Sequence, residues 1–206
     1  METRALTVHC EGAVPVSLSD TKDHQVPPSG HVRIHVATLD ELVERTDRYH
    51  GLLDKGELER LTRFKFDADR QRFLLGHGLL REVIGQVLNT DPPSIDFQRG
   101  RYGKPFLPGT SLHFNLSDTK DAVAVAVAVD EELGIDLETM TRRVDHRSVS
   151  QHYFTPEEQG DIIAAPDDKR RFLELWTRKE AVLKASGVGI MDDLRSLRVN
   201  RPTNEL

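Results

Sequence analysis

The chain has 206 residues, 37% hydrophobic and 30% charged, and 28 Lys and Arg against 34 Asp and Glu leave a net charge of -6. That length holds one large or two small cores, which excludes a disulfide-stapled miniprotein, and 14 Gly and 10 Pro without a fixed period exclude a collagen-like fibre. The lone Cys10 fits a reducing compartment, Met1 to Cys10 lacks the apolar run of a secretion signal, and the acidic balance argues against a general nucleic-acid binder. We read a soluble cytoplasmic protein, with neither nucleic acid nor membrane among its partners.

In chain order, residues 31–39 alternate apolar and polar side chains as a half-buried strand does. Helices are expected at 40–50 and 54–63. A stronger amphipathic helix is marked by Leu74, Leu75, Leu79, Leu80, Val83, Ile84, Val87 and Leu88. Gly76, Gly78 and Gly85 inside it each cost about 1 kcal/mol relative to Ala, which close approach of another backbone or of a ligand would explain, simple tolerance being the alternative, above all for Gly85. Short strands follow at 95–98 and 112–116. Ala122–Val129 alternates Ala and Val as a buried strand does, and at eight residues it is far below the roughly 20 needed to cross a bilayer. A turn at 131–134 leads to a strand at 135–138, and helices are expected at 144–152, 155–164 and 168–186. Segments 1–30 and 199–206 carry little periodic signal.

Two short matches stand in register. Leu18-Ser-Asp-Thr-Lys-Asp23 recurs as Leu116-Ser-Asp-Thr-Lys-Asp121, and Arg72-Phe-Leu74 recurs as Arg171-Phe-Leu173, each about a hundred residues on. The expected fold is therefore α+β, with two repeated α/β subdomains, 1–118 and 119–206, related by a pseudo-twofold axis. A ligand cleft is expected at their interface.

Three constellations carry candidate chemistry. A strand through Gly134-Ile-Asp-Leu-Glu138 would send Asp136 and Glu138 to one face, where they either share a hard cation such as Mg2+ or simply face water. On the last long helix, Glu180 and Lys184 stand four residues apart on one face, as a surface pair or as an oxygen ligand beside a phosphate clamp. In Arg101-Tyr-Gly-Lys-Pro-Phe106, Lys104 projects from a restricted turn suited to meeting a phosphate. Beyond it, in His113-Phe-Asn-Leu-Ser117, Ser117 is a hydroxyl donor or a capping serine, and His113 reads as a satisfied, half-buried histidine.

Taken in order, Gly103-Lys-Pro105, His113-Phe-Asn-Leu-Ser117, Gly134-Ile-Asp-Leu-Glu138 and Trp176-Thr-Arg-Lys-Glu-Ala-Val-Leu-Lys184 resemble the 4'-phosphopantetheinyl transferase superfamily, in its long, pseudo-dimeric type. The resemblance covers roughly residues 58–198. It implies transfer of the phosphopantetheine arm from coenzyme A to a serine of an acyl or peptidyl carrier protein of a peptide or polyketide synthase, with Mg2+ as cofactor. It also implies Asp136, Glu138 and Glu180 as the Mg2+ ligands and Lys184 as the pyrophosphate contact. Arg72, Phe73, Lys104, Ser117 and Asp118 fall in the coenzyme A region. The base that takes the serine proton is either Glu158, in Phe154-Thr-Pro-Glu-Glu158, or Glu180.

Two departures modify these expectations. Asp118 stands where many relatives have His, so Arg72 or Lys104 is expected to take over the 3'-phosphate. The chain ends soon after Leu197-Arg-Val-Asn200, where long-type relatives continue, so the second unit is expected to be shortened or to close its sheet differently. Acidic carriers call for a local basic patch, for which Arg60, Arg63 and Lys65 are candidates. A fused pseudo-dimer supplies its own interface, so a monomer is expected. The competing readings are a non-catalytic coenzyme A or carrier-protein binding module and a Mg2+-dependent nucleotide pyrophosphate hydrolase.

Overall fold

The structure, a computed structural model, describes residues 7–9, 26–187, 194–201 and 203–205. The first copy of the Leu-Ser-Asp-Thr-Lys-Asp repeat lies outside the described residues. Strand β1 (Thr7–His9) is followed by β2 (Arg33–Thr38). The helical stretch expected at 40–50 is divided into α1 (Leu39–Leu42), a 3-10 turn at Val43–Arg45 and α2 (Thr46–His50). Next come α3 (Lys55–Leu61) and the long α4 (Asp67–Leu88). The hairpin strands β3 (Gln98–Arg99) and β4 (Pro105–Phe106) lead into β5 (Leu112–Asp118) and β6 (Ala122–Val129). The last helices are α5 (His146–Tyr153), α6 (Pro156–Ala164) and α7 (Asp168–Ser186), and β7 (Thr203–Glu205) pairs antiparallel with β1. The fold is α+β. None of the described helices is long and apolar enough to cross a membrane.

The main sheet is antiparallel in the order β2-β6-β5, with Val36 opposite Ala124 and Ser117 opposite Ala124 on the other side. The Ala-Val alternation of β6 gives this sheet two unlike faces. Val123, Val125 and Val127 are buried with Phe114 against Leu75, Leu79, Val83 and Ile84 of α4. The opposite face carries Ala124, Ala126 and Ala128, small enough for another segment to lie close against them. Gly78 of α4 earns its place by contact: a Cβ there would stand 2.4 Å from the Tyr49 side chain, so any larger residue would push α2 away. A left-handed Asn89, φ 49°, ends α4.

A second core joins α5, α6 and α7 through Phe154, Ile162, Phe172, Leu175, Leu197 and Val199. Thr155 opens α6 with a reciprocal capping box to Glu158, and Asp167 caps α7 at Arg170 N. The repeated Arg-Phe-Leu motifs fall in the first two turns of α4 and α7. Strand β6, placed in the second unit by a division at 118/119, is the central strand of the first sheet.

The strand expected at 135–138 does not form. Its alternation is real, but the segment lies across the side chains of β5 instead of along a strand edge, so its N–H groups find side-chain acceptors and no backbone ladder.

Candidate functional site

The site is built where residues 133–138 pass between β5 and α7. Asn115 and Ser117 are both buried and, two apart on β5, point the same way. Asn115 Oδ1 accepts from Ile135 N at 2.9 Å and Ser117 Oγ accepts from Leu137 N at 3.1 Å, a side-chain ladder in step with the period of both segments. Leu133 and Ile135 pack on Ala126 and Ala128. On the other side Gly134 lies directly on the helix: a Cβ there would fall 2.0 Å from Ala181 O and 2.4 Å from Ala185 N.

This double clamp presents Asp136 to α7. Its Oδ1 accepts from Lys184 Nζ at 2.6 Å and from Ser117 Oγ at 3.0 Å, and Lys184 Nζ also lies 3.1 Å from Ser117 Oγ. Ser117 thereby uses its one donor on Asp136 while accepting from Leu137 and Lys184. One turn before Lys184, half-buried Glu180 lines a cleft of roughly 240 Å³ with Lys184, Leu183, Tyr102, Lys104, Asn115 and Leu116. Burial pushes the Glu180 carboxyl up and the Asp136 carboxylate adds to the rise, while Lys184 and Arg142 oppose it.

The Asp136 carboxylate raises the charging cost of Glu180, and a divalent cation relieves repulsion of that kind between hard oxygen donors. Mg2+ commonly takes only one or two protein carboxylates together with water and substrate phosphate. Asp136 and Glu180 therefore fit such an ion. Glu138 is ion-paired with Arg142, whose guanidinium sits 5.9 Å from the Trp176 ring centre. Among the described residues, no group of three His, Cys, Asp or Glu side chains is gathered as a metal site.

A second hollow, of roughly 460 Å³, shares Asn115 and Leu116 with the lining of the cleft and is bordered by Arg60, Arg63, Arg99 and His77. Behind it lies a network that the sequence reading missed. Fully buried Arg81 is bound to Asp54 and Glu57 and donates to Pro92 O at 2.6 Å and Ile95 O at 3.1 Å. Burial pushes the Glu57 carboxyl up, but His77, at 2.7 Å, and Arg81 outweigh it and hold it below the usual range.

Comparison with known proteins matches residues 132–205 to a family model described as the 4'-phosphopantetheinyl transferase superfamily, and residues 44–130 to one described as 4'-phosphopantetheinyl transferase, N-terminal. The 4'-phosphopantetheinyl transferase HetI of Nostoc sp. is 34% identical over 168 residues, covering 79% of this chain and 71% of its own. The chain belongs to the 4'-phosphopantetheinyl transferase superfamily. The 4'-phosphopantetheinyl transferase Sfp of Bacillus subtilis is 31% identical, covering 76% of this chain and 70% of its own. A phosphopantetheinyl transferase of Thraustochytrium sp. is 35% identical, and the chain spans only 55% of that protein's length. A crystal structure of a holo-(acyl-carrier-protein) synthase from Bacillus anthracis with coenzyme A aligns with 48% of this chain and 93% of its own, at 18% identity and a TM-score of 0.39, too distant a likeness to support an argument.

In this phosphopantetheinyl transferase chain the expected site residues separate into two groups. Asp136, Glu180, Lys184, Ser117 and Lys104 are brought together. Lys104 spends its ammonium on Glu132 Oε2 at 2.6 Å, Ala185 O at 2.8 Å and Leu133 O at 3.2 Å, so it latches the acidic segment to the end of α7. Arg72 pairs with Asp118 at 2.7 Å and Asp69 at 2.9 Å, so the carboxylate that stands in place of His is countered by the cation expected to replace it. Phe73 is buried and stacks on His77 at 3.9 Å between ring centres, part of a wall and not of the cleft. His113 is half-buried, with Nδ1 3.5 Å from Glu132.

Glu158 is not brought to the site. It is fully buried, its Oε2 accepts from Thr155 N at 2.9 Å and faces Lys179 Nζ at 3.0 Å, and its Oε1 accepts from Val199 N at 3.0 Å. Those contacts occupy the lone pairs that a base needs, and no surface connects it to a substrate. Lys179, also fully buried, donates onward to Leu194 O at 2.9 Å and to Leu197 O, tying residues 194–199 to α6 and α7.

Proposed function

We propose that this chain transfers the 4'-phosphopantetheine arm of coenzyme A to a serine hydroxyl of an acyl or peptidyl carrier protein and releases adenosine 3',5'-bisphosphate. The observation that carries this reading is the cluster drawn from β5, the 133–138 segment and α7, in which Lys184 lines the cleft with Glu180 and is bound to Asp136 and Ser117. We place the active site at the seam between the two units, where the acidic segment of the second lies on the first sheet.

Transfer of a phosphoryl-linked group asks for positioning and charge neutralisation more than for covalent help. Lys184, held beside Asp136, directs its ammonium to the oxygens of the diphosphate and stabilises charge on the departing bisphosphate. Asp136 and Glu180 would hold Mg2+, which when bound neutralises further charge on those oxygens. Glu180, the carboxyl that lines the cleft, is the group placed to accept the serine proton, directly or through a water. The second hollow, with Arg60, Arg63 and Arg99 at its border, offers a basic wall to the nucleotide end of the substrate.

Incubation with apo carrier protein, coenzyme A and Mg2+, followed by intact mass of the carrier, tests the proposal. The expected result is gain of one phosphopantetheine. Coenzyme A cleavage with an unmodified carrier would assign a pyrophosphate hydrolase instead, and binding with neither change would assign a non-catalytic module.

A further inference from the structure

We infer that Lys104 is a positioning residue for the transfer: it draws the segment carrying Asp136 onto the helix carrying Glu180 and Lys184, and its ammonium does not serve as a contact for coenzyme A. The inference rests on the transferase reading above, and it departs from the resemblance, which places Lys104 in the coenzyme A region.

The backbone of Lys104 is fixed before its side chain reaches out. Gly103, left-handed at φ 85°, turns the chain between β3 and β4, Gly103 N donates to Gly100 O at 2.9 Å, and Gly100 N donates to Lys104 O at 2.9 Å. The side chain then crosses to the end of α7, where its stem lies against Gly187: a Cβ there would stand 3.4 Å from Lys104 Cδ. An ammonium has three donors, and here all three are committed, to Glu132 Oε2, Leu133 O and Ala185 O. A phosphate could take this cation only by breaking one of those bonds.

The two carbonyls belong to the two halves of the site. Leu133 O precedes Asp136 in the acidic segment, and Ala185 O directly follows Lys184 in the last turn of α7, where the final carbonyls have no partner within the helix and a cation is favoured. Glu132 is 65% exposed, so the third bond, an ion pair at the surface, adds little. Gly134 sets how closely the segment can approach α7, since the place of its missing Cβ is already filled by helix backbone. Close approach needs an attraction as well as room, and Lys104 supplies it one residue before Gly134. The 2.6 Å contact between Asp136 and Lys184 depends on both.

Two variants of the full chain test this role. Lys104→Met keeps the stem and removes all three donors; Glu132→Gln removes only the exposed charge. Carrier modification at saturating coenzyme A and Mg2+ gives kcat, and calorimetric titration without carrier gives the affinity for coenzyme A. Lys104→Met is expected to lower kcat about tenfold or more, since a misplacement of about 1 Å at the reacting groups can cost about a hundredfold. Its affinity for coenzyme A is expected to stay within about fivefold of the parent, where loss of a charge-assisted phosphate contact would cost about tenfold or more. Glu132→Gln is expected to stay above that tenfold limit in kcat. A larger loss of affinity in Lys104→Met would make Lys104 a substrate contact and overturn the inference, and so would a smaller loss of kcat. A loss in Glu132→Gln as large as that in Lys104→Met would move the effect to the ion pair and overturn the assignment to the two carbonyls. If Lys104→Met does not fold, Lys104→Gln, which keeps an amide donor for one carbonyl, is judged by the same two limits. A parent protein that modifies no carrier would instead overturn the transferase reading, and this inference with it.

Discussion

Replacing Glu158 by Gln separates a structural carboxylate from a catalytic one. The native side chain accepts from Thr155 N and Val199 N through different oxygens and faces the Lys179 ammonium at 3.0 Å, with neither Glu158 nor Lys179 exposed to solvent. Gln offers a single carbonyl oxygen, so its NH2 must meet one of the two backbone N–H groups, and Lys179 is left as a buried cation without its counter-charge. Breaking such a pair from one side costs about 3 to 5 kcal/mol. At about 2 to 4 °C per kcal/mol for a chain of this size, the melting temperature should fall by roughly 6 to 20 °C. Adding Lys179→Met removes the stranded charge and should recover more than half of the loss. Assayed well below its melting point, Glu158→Gln should keep kcat within about threefold of the parent, whereas removal of a general base costs about 100- to 10,000-fold. A parent-like melt combined with a kcat loss of that size would refute the structural assignment and return Glu158 to the reaction.

Gly134→Ala would drive a methyl into the backbone of α7 at Ala181 and Ala185. Overpacking of this kind costs about 1 to 3 kcal/mol, and the displaced acidic segment should lower carrier modification about a hundredfold or more; unchanged activity would mean that the contact does not set the site. Glu180→Gln should change stability with pH in a definite sense. The Glu180 carboxyl is raised in the folded chain, chiefly by burial and then by Asp136, so its stability contribution is intact below the ordinary carboxylate value and is lost as pH rises through the folded value. In chelator-treated protein the Gln variant should therefore melt with the parent at about pH 4 and above it at about pH 7 to 8, and a lower melt at neutral pH would contradict the raised carboxyl.

Much of the frame was legible because its periods are simple. The Ala-Val alternation of β6 and the 168–186 helix were read with the bounds that the structure gives them, since burial there follows one repeat. The 135–138 segment misled because alternation predicts which way side chains point, not whether a neighbouring backbone is available; Asn115 and Ser117 supplied the acceptors instead. Glu158 misled for a different reason. Its motif reads as chemistry beside the other carboxylates, but Thr155-Pro-Glu-Glu158 also spells a capping box, and Lys179 lies on the apolar stripe of α7 between Trp176 and Leu183, where a buried cation needs a carboxylate. No local pattern announces the pairing of β1 with β7, or Arg81 as the centre of a buried network, because both depend on residues distant in sequence. Gly134 and Asn115 sat inside the quoted motifs, but their roles come from contacts with α7 and the acidic segment that only the fold supplies.

The most direct measurement is the rate of carrier modification, followed by intact mass across a Mg2+ titration, for the parent and for Asp136→Asn and Glu180→Gln. The parent rate should rise with Mg2+ to a plateau, and each variant should fall about a hundredfold or more below it while still melting cooperatively. Modification by either variant within about tenfold of the parent rate would show that the two acids do not form the reactive centre.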